Sequence, residues 1–150
     1  IMGQTGGVTV VSDYGHHPTA IRATLQAARQ RYGKATIWAV WQPHTYSRTR
    51  LLAHEFATAF HDADHVLITD IYAAREQPEP DDPTSADLVR MVTEYPDTRY
   101  SGSLEASATL LKNEVRSGDI VIIFSAGDAP RVGEALLESL AKSSDERQAL

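Results

Sequence analysis

Asp13, His16 and His17 fall within DYGHHP (13–18), one residue after the apolar run VTVV (8–11). A carboxylate and two imidazoles so placed could move protons, bond a ligand or hold a metal. Neighbouring residues on one turn rarely share an ion, and zinc sites favour spaced ligands. A polar contact to substrate or nucleotide is therefore the expected use, with a solvated or hydrogen-bonding histidine as the alternative. Asp13 could be an ordinary helix cap. Pro18, however, suits the first helical position, which puts the cap near His17 and leaves Asp13 about four residues too early. Gly15 between them permits a positive φ or a close backbone approach.

A second group lies in QPHTYSRTR (42–50). Ser47 reads as a helix N-cap, with Leu52 and Phe56 on the apolar stripe that follows. Arg48 and Arg50 then stand in the first turn, where each cation opposes the helix dipole by about 0.3–1 kcal/mol. No acid precedes Glu55 in that helix. A local rule broken without compensation marks function. Arginine beside free backbone N–H groups suits a phosphate or carboxylate. Residues two apart do not share a helix face, so one arginine is expected to face a ligand, and Arg48 is chosen. Two solvated surface arginines are the alternative. SAGDAP (125–130) offers Asp128, either capping the next helix or serving a site. DIYAARE (70–76) offers Arg75, either salt-bridged at the surface or facing the same site.

The elements that must carry these groups are visible as unbroken apolar runs: VTVV (8–11), TIWAVW (36–41), HVLIT (65–69) and DIVIIF (119–124), with TRYS (98–101) as a weaker fifth. Unbroken runs suit strands buried on both faces of a parallel sheet. Helical stripes lie between them: Ile21, Leu25, Ala28 and Tyr32; Leu52, Phe56, Ala59 and Phe60; Leu88 and Val92; Leu104, Ala108, Leu111 and Val115; Leu136 and Leu140. The alternation predicts an α/β fold, a Rossmann-like, mostly parallel sheet with helices on both faces. Ligands sit outside the carboxyl ends of such strands. The same edge should thus gather Asp13, His16, His17, His44, Arg48, Arg75 and Asp128. EQPEPDDP (76–83) reads as a surface loop, and KSSDERQAL (142–150) as a polar, frayed end.

The 150 residues suit one domain over 1–150. A net charge of −6 argues against broad nucleic-acid or anionic-membrane binding. There is no cysteine, hence no disulfide or thiolate chemistry. No apolar run approaches a membrane span and no signal peptide is apparent. The chain opens at Ile1 and reads as a piece of a longer protein. It has no G-x-x-x-x-G-K-[ST] loop, and GQTGG (3–7) precedes the first strand instead of following one.

DYGHHPTAIRATL, QPHTYSRTR, DIYAARE and SAGD together resemble the C-terminal domain of the Mur ligase family, on its alanine-adding branch, from about Val8 to Leu140. The resemblance implies a cytoplasmic, ATP-dependent, amide-forming ligase of peptidoglycan synthesis. Its partners would be UDP-N-acetylmuramate, L-alanine and ATP with Mg. The UDP-sugar domain and the central ATPase domain, which holds most of the ATP and Mg contacts, lie outside this chain. By the same resemblance Asp13 matches an acid on the nucleotide side, and Tyr14 and His16 match positions near the active site. His44 and Arg48 match residues around the amino acid and the transferred phosphate. Thr45 departs from the many members with arginine there. The muropeptide-recycling branch, which attaches a tripeptide, shares the first turn but differs in the second segment. A stand-alone binding module and a metal hydrolase using Asp13, His16, His17 and His44 are the remaining alternatives.

Overall fold

The apolar runs become a six-stranded sheet in a computed structural model that describes residues 1–92 and 97–149. The strands are β1 (Gly3–Thr5), β2 (Val8–Asp13), β3 (Ile37–Trp41), β4 (His65–Thr69), β5 (Thr98–Gly102) and β6 (Ile120–Phe124), arranged β1-β2-β6-β3-β4-β5. All neighbours are parallel except β1, which pairs antiparallel with β2. The expected fold class is therefore correct, and β1 corrects the reading of GQTGG. It is a strand joined to β2 by Gly6 and Gly7, both at positive φ (59° and 80°), the backbone demanded by a two-residue hairpin turn.

The helices are α1 (Pro18–Tyr32), α2 (Tyr46–Leu51), α3 (Ala53–Ala57), α4 (Ser85–Met91), α5 (Leu104–Glu114) and α6 (Pro130–Gln148). Ile21 and Leu25 of α1, Phe56 of α3 and Leu88 of α4 pack on Ile37, Ala39, Trp41, Ile122 and Phe124. Leu111 of α5 and Val132 and Leu136 of α6 pack on the opposite face, against Val8, Val10, Trp38, Val40, Val121 and Ile123. Alternate residues of β3 and β6 thus enter separate cores, which is why those runs are apolar without interruption.

Two helix expectations change. Thr45, not Ser47, is the N-cap of α2, and the expected single helix breaks at Leu52. The polar tail is helical to Gln148, with Leu150 outside the described residues. Lys142 pairs with Glu138, and the Ser143 and Ser144 hydroxyls donate to the carbonyls four residues back. Those local bonds hold the last turns of α6, which carry no apolar stripe.

Topology sets where a ligand can enter. β3 and β6 are neighbours, yet the chain leaves β3 for α2 and α3 on one face and leaves β6 for α6 on the other. Such a switch opens a crevice at the carboxyl ends of the strands.

Candidate functional site

Asp13 ends β2, Gln42 follows β3, Asp70 follows β4 and Ser125 follows β6, so all four segments meet on one sheet edge as the parallel reading requires. The first turn is tied by Asp13. Its Oδ1 accepts from the Gly15 N–H at 2.6 Å, and its Oδ2 accepts from the Thr24 hydroxyl of α1 at 2.7 Å. Asp13 does not cap α1, but it does have a structural duty that its position in the sequence conceals. Gly15 is required for close approach: a Cβ there would lie 2.7 Å from Asp13 Oδ1.

The two histidines of this turn use Nδ1 in opposite ways. His16 Nδ1 lies 3.0 Å from the Tyr14 carbonyl, which can only accept, so this Nδ1 is the donor. His17 is the N-cap of α1, and its Nδ1 accepts from the Thr19 N–H at 3.2 Å. Tyr14, 73% exposed, sets its ring edge-on to His16. Among the described residues no group of three or more His, Cys, Asp or Glu is arranged to hold a metal ion.

His16 meets the second segment at His44, with ring centroids 6.0 Å apart. His44 in turn lies nearly parallel to Tyr72, with centroids 5.4 Å apart and planes at 10°. The Tyr72 N–H donates to the Pro43 carbonyl at 2.8 Å, so the loops after β3 and β4 continue the sheet pairing beyond its edge. Desolvation lowers the His44 pKa, reinforced by the positive Arg48 and by His16. The imidazole is therefore neutral at pH 7, and its Nδ1 is buried without a hydrogen-bond partner.

Arg48 is half-buried and makes no ion pair among the described residues. It lines an open cavity of about 410 Å³ with Thr45, Ser47, Leu51, Leu52 and Glu76. Arg50 points elsewhere, pairing with Glu79 at 3.3 Å and with Asp82, as expected for the opposite face. The apparent lack of an acid at the start of α2 is corrected by Glu76. Its carboxylate accepts from the Ser47 N–H at 2.9 Å and from the Ser47 hydroxyl. These bonds hold the Glu76 carboxyl below the ordinary glutamate range.

At the β3–β6 switch, Gln42 is 4% exposed and joins three segments. Its Oε1 accepts from the Ser125 hydroxyl at 2.6 Å and from the Ala129 N–H at 3.3 Å, while its Nε2 donates to Asp128 Oδ1 at 2.8 Å. Asp128 is therefore oriented by Gln42 and does not cap α6, whose N-cap is Ala129. With Asp70, Tyr72, Gly102 and Arg131, Gln42 and Asp128 line a second crevice of about 480 Å³. Arg75 is exposed and has no ion pair among the described residues, so the salt bridge expected of it is absent there.

The edge unites Asp13, Tyr14, His16, His17, His44 and Arg48, with Asp128 across the switch. Gln42, Tyr72 and Glu76 are its supports, and all three were passed over in the sequence. Gln42 could have been noticed as an amide closing an apolar strand. Glu76 gives no such cue, because its partner Ser47 is 29 residues away.

The family model described as Mur ligase, glutamate ligase domain, matches residues 1–127. The UDP-N-acetylmuramate–L-alanine ligase of Alkaliphilus metalliredigens is 44% identical over 91% of this chain and 29% of its own length. That of Acidobacterium capsulatum is 45% identical over 93% of this chain and 30% of its own length. The chain thus spans about 30% of the length of these curated relatives. The crystal structure of the UDP-N-acetylmuramate–alanine ligase of Thermotoga maritima superposes with a TM-score of 0.73 at 21% identity, over 92% of this chain and 28% of that one. A murein peptide ligase of Psychrobacter arcticus gives 0.72 at 21% identity, over 93% and 28%. These two likenesses establish the fold.

Proposed function

The chain belongs to the Mur ligase family, and from that premise we propose that it is the C-terminal domain of a cytoplasmic UDP-N-acetylmuramate–L-alanine ligase. In the reaction of the whole protein, ATP would phosphorylate the muramyl carboxylate, releasing ADP. The alanine amine would attack the acyl phosphate, and the tetrahedral adduct would collapse to an amide with loss of phosphate.

One observation carries this reading: the edge pairs an unquenched guanidinium, Arg48, with a neutral imidazole, His44, against the turn of Asp13 and His16. A guanidinium binds a carboxylate or phosphoryl group through two parallel N–H bonds. Arg48 would hold the alanine carboxylate or the transferred phosphate. His44, kept neutral, can accept a hydrogen bond. His16 Nε2 and the exposed Tyr14 ring would face the nucleotide side, with Asp13 fixing the turn that presents them. His17, Arg75 and Asp128 would flank the cleft. The donor set here does not suit the triphosphate or Mg: the chain lacks a phosphate loop, and no metal-holding group occurs among the described residues. Both would be held by the rest of the protein. No helix among the described residues is long and apolar enough to cross a membrane, and the charge of −6 does not favour nucleic acid.

The test is phosphate release by the full-length protein given ATP, Mg, UDP-N-acetylmuramate and either L-alanine or the recycled tripeptide. Alanine-dependent release is expected, while this chain alone unfolds cooperatively and releases none. A preference for the tripeptide would transfer the protein to the recycling branch. Turnover by this chain alone would contradict the division of labour.

A further inference from the structure

Arg48 is carried by a short helix. α2 has six residues and is cut from α3 at Leu52. So short a helix does not sustain itself, because nucleation is costly and few bonds repay it. Its orientation must come from contacts to the rest of the fold. Thr49 is fully buried. Arg50 pairs with Glu79 and Asp82. Ser47, the residue before Arg48, is held by Glu76 through both its backbone N–H and its hydroxyl, one on each carboxylate oxygen. Such a two-point hold fixes rotation as well as distance.

Glu76 shares the wall of the 410 Å³ cavity with Arg48, yet no ion pair joins them among the described residues. Its oxygens are engaged by the start of α2, chiefly by Ser47, with Thr45 and Tyr46 contributing. The acid therefore balances the first turn of α2 without consuming the guanidinium, which stays available to a ligand. We propose that Glu76 is a positioning residue that, through its two-point hold on Ser47, aims Arg48 at the anionic group of the amino-acid substrate. This rests on the function proposed above.

A double-mutant cycle in the full-length protein tests it, using Glu76→Ala, Ser47→Ala and the pair, with alanine and ATP varied separately. Glu76→Ala should raise the KM for alanine about tenfold, the scale of a lost charge-assisted contact, and change kcat and the KM for ATP about threefold or less. Ser47→Ala, which keeps the backbone bond, should have a smaller effect. The double mutant should be no worse than Glu76→Ala. Glu76→Gln retains an acceptor for the Ser47 N–H and should recover most of the loss. Should Glu76→Ala fail to fold, Ser47→Ala carries the test, and an unchanged alanine KM there would overturn the positioning role. An unchanged alanine KM in Glu76→Ala, additive effects, or an equal rise in the KM for ATP would overturn the positioning role. A wild-type protein that ignores alanine would overturn the function instead. In that case, exchange protection of the Ser47 amide in this chain, lost in Glu76→Ala, still reports the hold itself, and an unprotected Ser47 amide in the wild-type chain would overturn it.

Discussion

Tyr72 lies flat against His44, with ring planes 10° apart and centroids separated by 5.4 Å, and its backbone N–H is bonded to Pro43 at 2.8 Å. Gly127 makes room for the Tyr72 ring, since a Cβ there would come within 2.9 Å of it. A residue after β6 therefore limits the position of an imidazole after β3, through a ring that follows β4.

The stack has a consequence for pH. Burial lowers the His44 pKa, with Arg48 and His16 contributing. Tyr72→Ala admits water and should move the His44 midpoint up, while Tyr72→Phe should leave it in place. An NMR titration of the ring reads both. The same shift links to stability. Folded His44 binds its proton less readily than the unfolded chain does, so the unfolded state carries more protons between the two pKa values. Stability should therefore fall as pH drops through about 6.5 and level off below the folded value. Urea unfolding at pH 8 and pH 5 should show a smaller pH effect in His44→Gln than in the wild type.

Asp13 uses both carboxylate oxygens within the fold, on Gly15 and Thr24. Asp13→Ala should cost about 1–3 kcal/mol of stability, the range for losing hydrogen bonds to a charged group. Asp13→Asn keeps an acceptor for Gly15 and an amide that can donate to the Thr24 hydroxyl, and should melt close to the wild type. If Asp13→Asn also preserves the KM for ATP, Asp13 is a strap of the turn with no direct role at the nucleotide.

Arg50 pairs with Asp82, whose side chain is only 4% exposed. Arg50→Ala leaves that carboxylate with the Glu79 N–H as its remaining partner and without a counter-charge, and should destabilise the fold by about 1–3 kcal/mol. Its effect on kcat/KM should be smaller than that of changing Arg48. A thermal melt beside steady-state kinetics separates the two, and an unchanged melt would make the Arg50 pairs dispensable.

Gln42 leaves the Ser125 hydroxyl, the Ala129 N–H and Asp128 without their partner when it is replaced. Gln42→Leu should cost about 2–4 kcal/mol, as expected for several buried polar groups left unsatisfied together. Equilibrium unfolding measures this. A loss below about 1 kcal/mol would mean that the groups find other partners by relaxation.

Strands buried on both sides were easy to read, because each of their residues must be apolar: every residue of β3 and β6 is buried. β5, at the sheet edge with Tyr100 half exposed, left a weaker trace. β1 left almost none, being three residues without an apolar side chain, and the glycine pair after it, placed ahead of the first apolar run, argues against a phosphate loop without pointing to a hairpin. Within the site, Asp13, His16, His44 and Arg48 stood out because their types were odd for turns. Their supports did not. The acid that balances α2 comes from a loop 29 residues away, and no local rule about helix ends reports a partner brought by the fold. The same blindness hid the pairing of Arg50 with Asp82, 32 residues on.

The central claim is that Arg48, and not Arg50, receives the anionic group of the amino acid. The most direct test is the kcat/KM for alanine of the full-length protein carrying Arg48→Lys, measured beside Arg50→Lys and the wild type with ATP and UDP-N-acetylmuramate saturating. Lysine keeps the charge but loses the planar fork. The account predicts a loss of roughly tenfold to a hundredfold at Arg48, from about 1.5–3 kcal/mol of charge-assisted bonding, and a change of about threefold or less at Arg50. Equal, small effects at the two positions, or a larger one at Arg50, would contradict it.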